Sequence, residues 1–255
     1  MNTSIRLLGA VRYPPYLHFA SNGTSQLELQ VSGKADPFLG TGPDALPARA
    51  WSFELRVFGP LAEGLARQLE EGSLVRVDAE FAAYADAGGN RCVGLRVMEA
   101  VQLDLKSLAV QGRTLERASH PQGGTLLSGA VNEVRLSGRL GRAVQVRGEG
   151  DSSFAWVSLA TLQSGKTVWL DLGAEGRVAR DLASLEQGDA LDLEGHLGYR
   201  ARKPAAGEGS EAIPRQGAQG GAPAAEGGNS QRYTLQVKLG QVWPHSRRLT
   251  HSEAS

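Results

Sequence analysis

The chain has 255 residues, with 27 basic and 27 acidic side chains and a formal net charge of zero. That length suits two domains of roughly 100–130 residues each. No apolar run approaches the roughly 20 residues of a membrane span, the single cysteine, Cys92, excludes an intrachain disulfide, and the balanced charge argues against a binder that relies on bulk attraction to polyanions.

The first predicted strand is "IRLLG", Ile5 to Gly9, followed by a turn and hairpin in "RYPPYLHFASNG". In "AWSFELRVFG" the alternation puts Trp51, Phe53, Leu55 and Val57 on one face and Ser52, Glu54, Arg56 and Phe58 on the other. Next, "GPLAEGLARQLEEG" repeats Leu61, Leu65 and Leu69 at helical spacing, with Gly72 as the expected C-terminal stop. Val75, Val77, Ala79 and Phe81 then alternate with Arg76, Asp78 and Glu80 as a fourth strand, and "GLRVMEAVQLD" to Asp104 is a fifth. "QGRTLERASHPQGGT", Gln111 to Thr125, reads as a linker. A new strand opens at "VRLSG", Val134 to Gly138, with a shortened hairpin in "GRAVQVRGEGDSS". In "SSFAWVSLAT", Val157 and Leu159 point inward and Phe154 and Trp156 outward. In "KTVWLDL", Val168, Leu170 and Leu172 point inward and Trp169 outward. "EGRVARDLASLEQG" is a second helix, with Val178, Leu182 and Leu185 at helical spacing and Gly188 as its stop. The next strand places Leu191, Leu193, Gly195 and Leu197 inward. A Gly-, Ala-, Pro- and Gln-rich loop over 201–231 is expected to be disordered, and "TLQVKLGQVWP" is the last strand.

The second half restates the first. "LEEGSLVRVDAEFAAY" and "LEQGDALDLEGHLGYR" begin at Leu69 and Leu185, an offset of 185 − 69 = 116 that holds at every inward position of the strand. Each copy reads strand, strand, strand, short helix, strand, strand. That order fits a five-stranded oligonucleotide/oligosaccharide-binding (OB) barrel, and a helix-free sandwich leaves the Leu-spaced segments unexplained. The expected organisation is all-β with short helices. A first OB domain covers 1–110, a linker 111–128, a second OB domain 129–245 and a short tail 246–255.

"IRLLGAVRYPPYLHFASNG", "VFGPLAEGLARQLEEGSLVRVDAEF" and "SGAVNEVRLSGRLGR" resemble the bacterial single-stranded DNA-binding proteins. The tandem copy resembles the Deinococcus/Thermus type, which carries two OB folds in one chain. Gly9, Pro15, Leu17, Phe19 and Gly23 keep the family's opening pattern, while Tyr13, Pro14 and Pro15 stand where it usually has Arg-Asp-Pro. His18 stands where Arg is frequent. The end, "SRRLTHSEAS", lacks the family's acidic tail, which suits a specialised paralogue. The resemblance implies sequence-tolerant binding of single-stranded DNA in replication or repair. A homodimer would supply four OB folds, and replication or repair proteins are possible partners. No cofactor or membrane is implied. The single cysteine and an N-terminus without a signal-peptide core fit the cytoplasm.

Base stacking on aromatic faces and phosphate contacts from cations are the physical means such a binder uses. Phe58 aligns with a Phe-Gly position that the family uses for stacking, or else it tucks under the helix. Arg56 reaches a phosphate or pairs with Glu54 or Glu28. Tyr16 and His18 project into a nucleic-acid groove or fill the barrel mouth. Trp51 belongs to the core by register, unless a bulge turns it out. Tyr84 lies near a family stacking position, and its counterpart by offset is Arg200. Trp156 and Trp169 form a stacking platform or a dimer interface. Arg200, Arg202 and Lys203 open the long loop as a phosphate clamp or as a solubilising base.

Residues 200–255 carry 8 basic and 4 acidic groups, so the basic excess lies there. Catalytic signals are weak. The five histidines have no ligand spacing, no zinc signature exists with one cysteine, and "LQSGKT" lacks the upstream Gly of a phosphate-binding loop and reads as a hairpin turn. The alternative to a DNA binder is an OB-fold interaction module that has lost that activity.

Overall fold

The computed structural model describes residues 3–35, 50–85, 91–104, 115–201 and 233–244. The strands of the first half are β1 (Ser4–Val11), β2 (Tyr16–Phe19), β3 (Ser25–Ala35), β4 (Ala50–Phe58), β5 (Leu74–Ala85) and β6 (Arg91–Leu103), with helix α1 (Gly59–Gln68) between β4 and β5. A hairpin strand β7 (Glu116–Ser119) leads to β8 (Thr125–Leu140), β9 (Gln145–Arg147), β10 (Phe154–Gln163), β11 (Lys166–Glu175), helix α2 (Gly176–Leu182), β12 (Ala190–Ala201) and β13 (Tyr233–Pro244). No helix among the described residues is long and apolar enough to cross a membrane.

Each half closes on itself. In the first, β1 pairs with β3, β3 with β4, β4 with β6, β6 with β5, and β5 with β1. In the second the circuit runs β8–β10–β11–β13–β12–β8. The only parallel step within each circuit joins the third strand to the fifth, Leu55 to Leu95 and Leu172 to Val237. This is the five-stranded OB barrel, built twice. The alternation explains why. Phe53, Leu55, Val57, Val75, Val77 and Phe81 in one copy, and Val157, Leu159, Leu170, Leu172, Leu191 and Leu193 in the other, all point inward and are buried. The short β2 and β9 continue the first strand of each barrel beyond a break and pair with β3 and β10.

The repeat extends to individual hydrogen bonds. The Gly72 and Gly188 N–H groups donate to the Val11 and Leu140 carbonyls, both at 2.8 Å. The Glu70 N–H donates to Ser73 Oγ at 3.0 Å and the Glu186 N–H to Asp189 Oδ2 at 2.9 Å. Both barrels bulge at the same place, between Asp78 and Ala79 and between Glu194 and Gly195, skipping Met98 and Gly240 on the partner strand. The two glycines differ from expectation. The helices end at Gln68 and Leu182, and Gly72 and Gly188, with φ of 80° and 89°, shape the turn that follows. A positive φ suits glycine there as it would at a helix end, so the residue type alone does not distinguish the two.

The barrels meet through their first strands. β1 and β8 pair antiparallel, and Ile5 lies opposite Val134, its own counterpart in the repeat. An internal two-fold axis therefore passes beside this pair, as in an isologous dimer. A polar network lines the junction. Thr161 Oγ1 donates to the Ser137 carbonyl at 3.0 Å and accepts from Gln163 Nε2 at 3.1 Å, and Ser137 Oγ donates to Asp192 Oδ1 at 2.5 Å.

The stretch expected as a linker is structured in its second part. β7 and the start of β8 form a hairpin with Glu116 opposite Ser128. Arg12 clamps its turn, Nε and Nη2 donating to the Gly123 and Gln122 carbonyls at 2.9 Å each. The polar composition concealed a turn with two left-handed glycines, Gly123 and Gly124, and a buried Leu126–Leu127 pair. Residues 105–114 of that stretch, the long loop after Ala201 and the tail 246–255 lie outside the described residues.

Candidate nucleic-acid interface

The outward face of the first barrel collects aromatic and charged groups in rows. Cross-strand register aligns His18, Gln26 and Phe58 across β2, β3 and β4, and Tyr16, Glu28 and Arg56 in the next row. The parallel pairing continues the second row to Arg96 on β6 and then Glu80 on β5. Neighbouring strands lie about 4.8 Å apart, so each row is a ribbon of side chains on one surface. Tyr16 is 65% exposed and stacks on His18 with ring centroids 5.6 Å apart and planes at 29°. Phe58 is half-buried and stacks on Tyr84 at 6.4 Å and 25°. The Arg56 guanidinium lies 4.6 Å from the centre of the Tyr84 ring, a cation–π contact, and only 4.0 Å from Glu54 Oε1, a long ion pair. Phe58 is the residue before α1, with φ −127° and ψ 153°. Its extended backbone continues β4 up to the helix, and the stack on Tyr84 holds the ring against the sheet.

Tyr84 owes its position to Gly94. The two strands pair Tyr84 with Cys92, and a Cβ built on Gly94 would come within 2.9 Å of the tyrosine ring. A glycine inside a strand marks such a close approach. The Tyr84 hydroxyl is enclosed, with no hydrogen-bond partner among the described residues. Burial pushes this phenol up to about 12, against the opposing pull of the Arg56 and Arg96 guanidiniums. The neutral form is therefore favoured in the fold. The associated stability is complete below the ordinary phenol value of about 10 and is lost as pH climbs through about 12. Ultraviolet absorbance titration should show one of the five tyrosines ionising last, and Tyr84→Phe should remove that step.

The second barrel's face is chemically different. Trp169 is 56% exposed and packs against Gly141, where a Cβ would overlap the indole. Trp156 is half-buried and meets Phe154 edge to face, centroids 4.7 Å apart and planes at 77°. Both indoles point outward as the alternation implies, but they do not touch as one platform. Trp156 sits opposite Gly173 and Trp169 opposite Ala160, with the Ser158–Asp171 pair between them. Four residues of strand separate the two positions, about 13 Å. At the position before each helix, Glu175 takes the place of Phe58, with nearly the same backbone, φ −126° and ψ 155°.

The remaining candidates are placed as follows. Trp51 stays on the core side, half-buried, stacked on Phe53 at 5.2 Å and 22° and packed over Gly9 and Gly33. Arg200 pairs with Thr234 through its backbone, while Arg202 and Lys203 lie outside the described residues. "LQSGKT" is a two-residue hairpin turn, Ser164 and Gly165 having φ of 45° and 76°. Sequence reasoning missed Arg96, because only the parallel β4–β6 pairing sets it beside Arg56. The signal for the Tyr84 seat was available in Gly94.

No protein-family model matches the chain. The single-stranded DNA-binding protein of Deinococcus radiodurans is 26% identical over 215 residues, 76% of this chain. The match spans 66% of that relative's length. The crystal structure of the single-stranded DNA-binding protein from Thermus aquaticus superposes with a TM-score of 0.68 at 18% identity, covering 96% of this chain and 94% of that one. The chain is thus similar in sequence to the Deinococcus protein and in fold to the Thermus protein. A deletion variant of the Thermus protein superposes similarly, with a TM-score of 0.67 over 99% of this chain and 98% of that one. The tandem OB architecture is therefore shared with this group nearly end to end.

Proposed function

We propose that the chain binds single-stranded DNA without strong sequence preference and acts in replication or repair as a cytoplasmic homodimer presenting four OB folds. The observation that carries this reading is the Phe58–Tyr84 stack with Arg56 packed over it, on an outward face of an OB barrel. Every base has a π-face, so stacking of this kind tolerates sequence. The relationship to a protein named for single-stranded DNA binding supports it. Trp156 and Trp169 extend the stacking surface to the second barrel, and Tyr16 and His18 extend it across β2. Arg200, Arg202 and Lys203 suit a phosphate clamp at the mouth of the long loop.

Charge pairing limits the strength of binding. Arg6, Arg76, Arg96 and Arg135 are each within 4 Å of a carboxylate, and such cations release fewer counterions on meeting DNA. This pairing also favours a second reading, an OB-fold interaction module without DNA binding. A salt series on an oligo-dT complex separates them. Affinity is expected to be modest and to fall with salt at a log–log slope of roughly −0.7 per phosphate contacted. Absence of binding at low salt would favour the interaction module. Tight binding with no salt dependence would contradict both.

A further inference from the structure

The β10–β11 hairpin belongs to the second barrel, but its tip rests on the first. Ser164 Oγ donates to the Glu80 carboxylate, 2.7 Å from Oε2 and 2.9 Å from Oε1, and accepts from Arg96 Nη2 at 2.7 Å. Glu80 and Arg96 also pair directly. Arg96 lies beside Arg56 in register, so the tip is seated in the same row as the guanidinium that covers Tyr84. Lys166 follows two residues after Ser164, which holds its Cα within about 7.6 Å of Ser164's own. It is exposed and makes no ion pair among the described residues. The Glu80 charge, which would repel a phosphate, is answered by Arg96.

We propose that this tip completes the first barrel's DNA face: Glu80 and Arg96 seat Ser164, and Lys166 carries a cation from the second barrel to a phosphate of the strand stacked on Phe58 and Tyr84. The inference rests on the DNA-binding reading above. Glu80 and Arg96 are positioning residues here. Lys166 is the group that touches the ligand.

The test is an anisotropy titration of the full chain with an oligo-dT long enough to span both barrels, repeated across a salt series. Lys166→Ala is expected to bind roughly threefold to tenfold more weakly at low salt, with a log–log slope shallower by about 0.7, the loss of one phosphate contact on a single strand. Ser164→Gly removes the hydroxyl at a φ that glycine accepts and should weaken binding similarly. The double variant should lose no more than Lys166→Ala alone, since the serine acts through the lysine. If the unaltered chain binds while Lys166→Ala keeps its affinity and slope, the inference falls and the DNA-binding reading stands. Additive losses in the double variant would likewise overturn it. An unaltered chain that binds no oligomer overturns the function and, with it, this assignment.

Discussion

Trp169→Ala is expected to weaken oligo-dT binding by about 1–3 kcal/mol, the range for one stacked base, or roughly 5- to 150-fold. The indole is more than half exposed, packs against Gly141, and stacks on no other ring among the described residues. An exposed indole of this kind asks for a cover, and a base and a partner protomer are the two candidates. The change removes no inward packing, because the inward positions of β11 belong to Val168, Leu170 and Leu172. The variant should therefore keep its fold. Sizing chromatography on the same protein decides which cover applies. Retained size with lost affinity marks stacking. A shift to half the mass with intrinsic affinity unchanged would mark a dimer interface and remove Trp169 from the DNA face.

Phe53→Ala is expected to cost about 3–5 kcal/mol of stability, the usual loss for a phenylalanine deleted from a core. Its side chain is fully buried, faces Val31 across β3–β4 and stacks on Trp51. Trp51 is itself packed tightly on Gly9 and Gly33, and a Cβ at Gly33 would collide with it, so the ring has little freedom to move into the space left behind. A domain is stable by only about 5–15 kcal/mol in all, so this one change removes a large share. A urea titration should show a midpoint well below that of the unaltered chain at similar slope. A loss under about 1 kcal/mol would mean that the core collapses around the hole, contrary to the packing described here.

Period-2 alternation made the strands legible in the sequence, because a half-buried strand must alternate. The 116-residue offset made the duplication legible, and helix position named the barrel. The outward placement of Phe58, Trp156 and Trp169 followed from the same rule. What the rule does not contain is the third dimension. It gave two outward tryptophans on adjacent strands but not the Ser158–Asp171 pair between them, which depends on register. It gave no reason to join Ser164 to Glu80, 84 residues away, because that contact arises only when two barrels pack through β1 and β8. The hairpin over 116–128 reads as a linker in the sequence because its polar residues outnumber its two buried leucines. Arg12, distant in sequence, supplies the clamp that composition cannot show.

The most direct test of the central claim is a titration of fluorescent oligo-dT with the full chain at low salt, followed by competition with unlabelled single strands and with duplex of the same length. The account predicts saturable binding that unlabelled single strands displace and duplex does not, because paired bases cannot lie on Phe58 and Tyr84. No binding, or equal displacement by duplex, would contradict it.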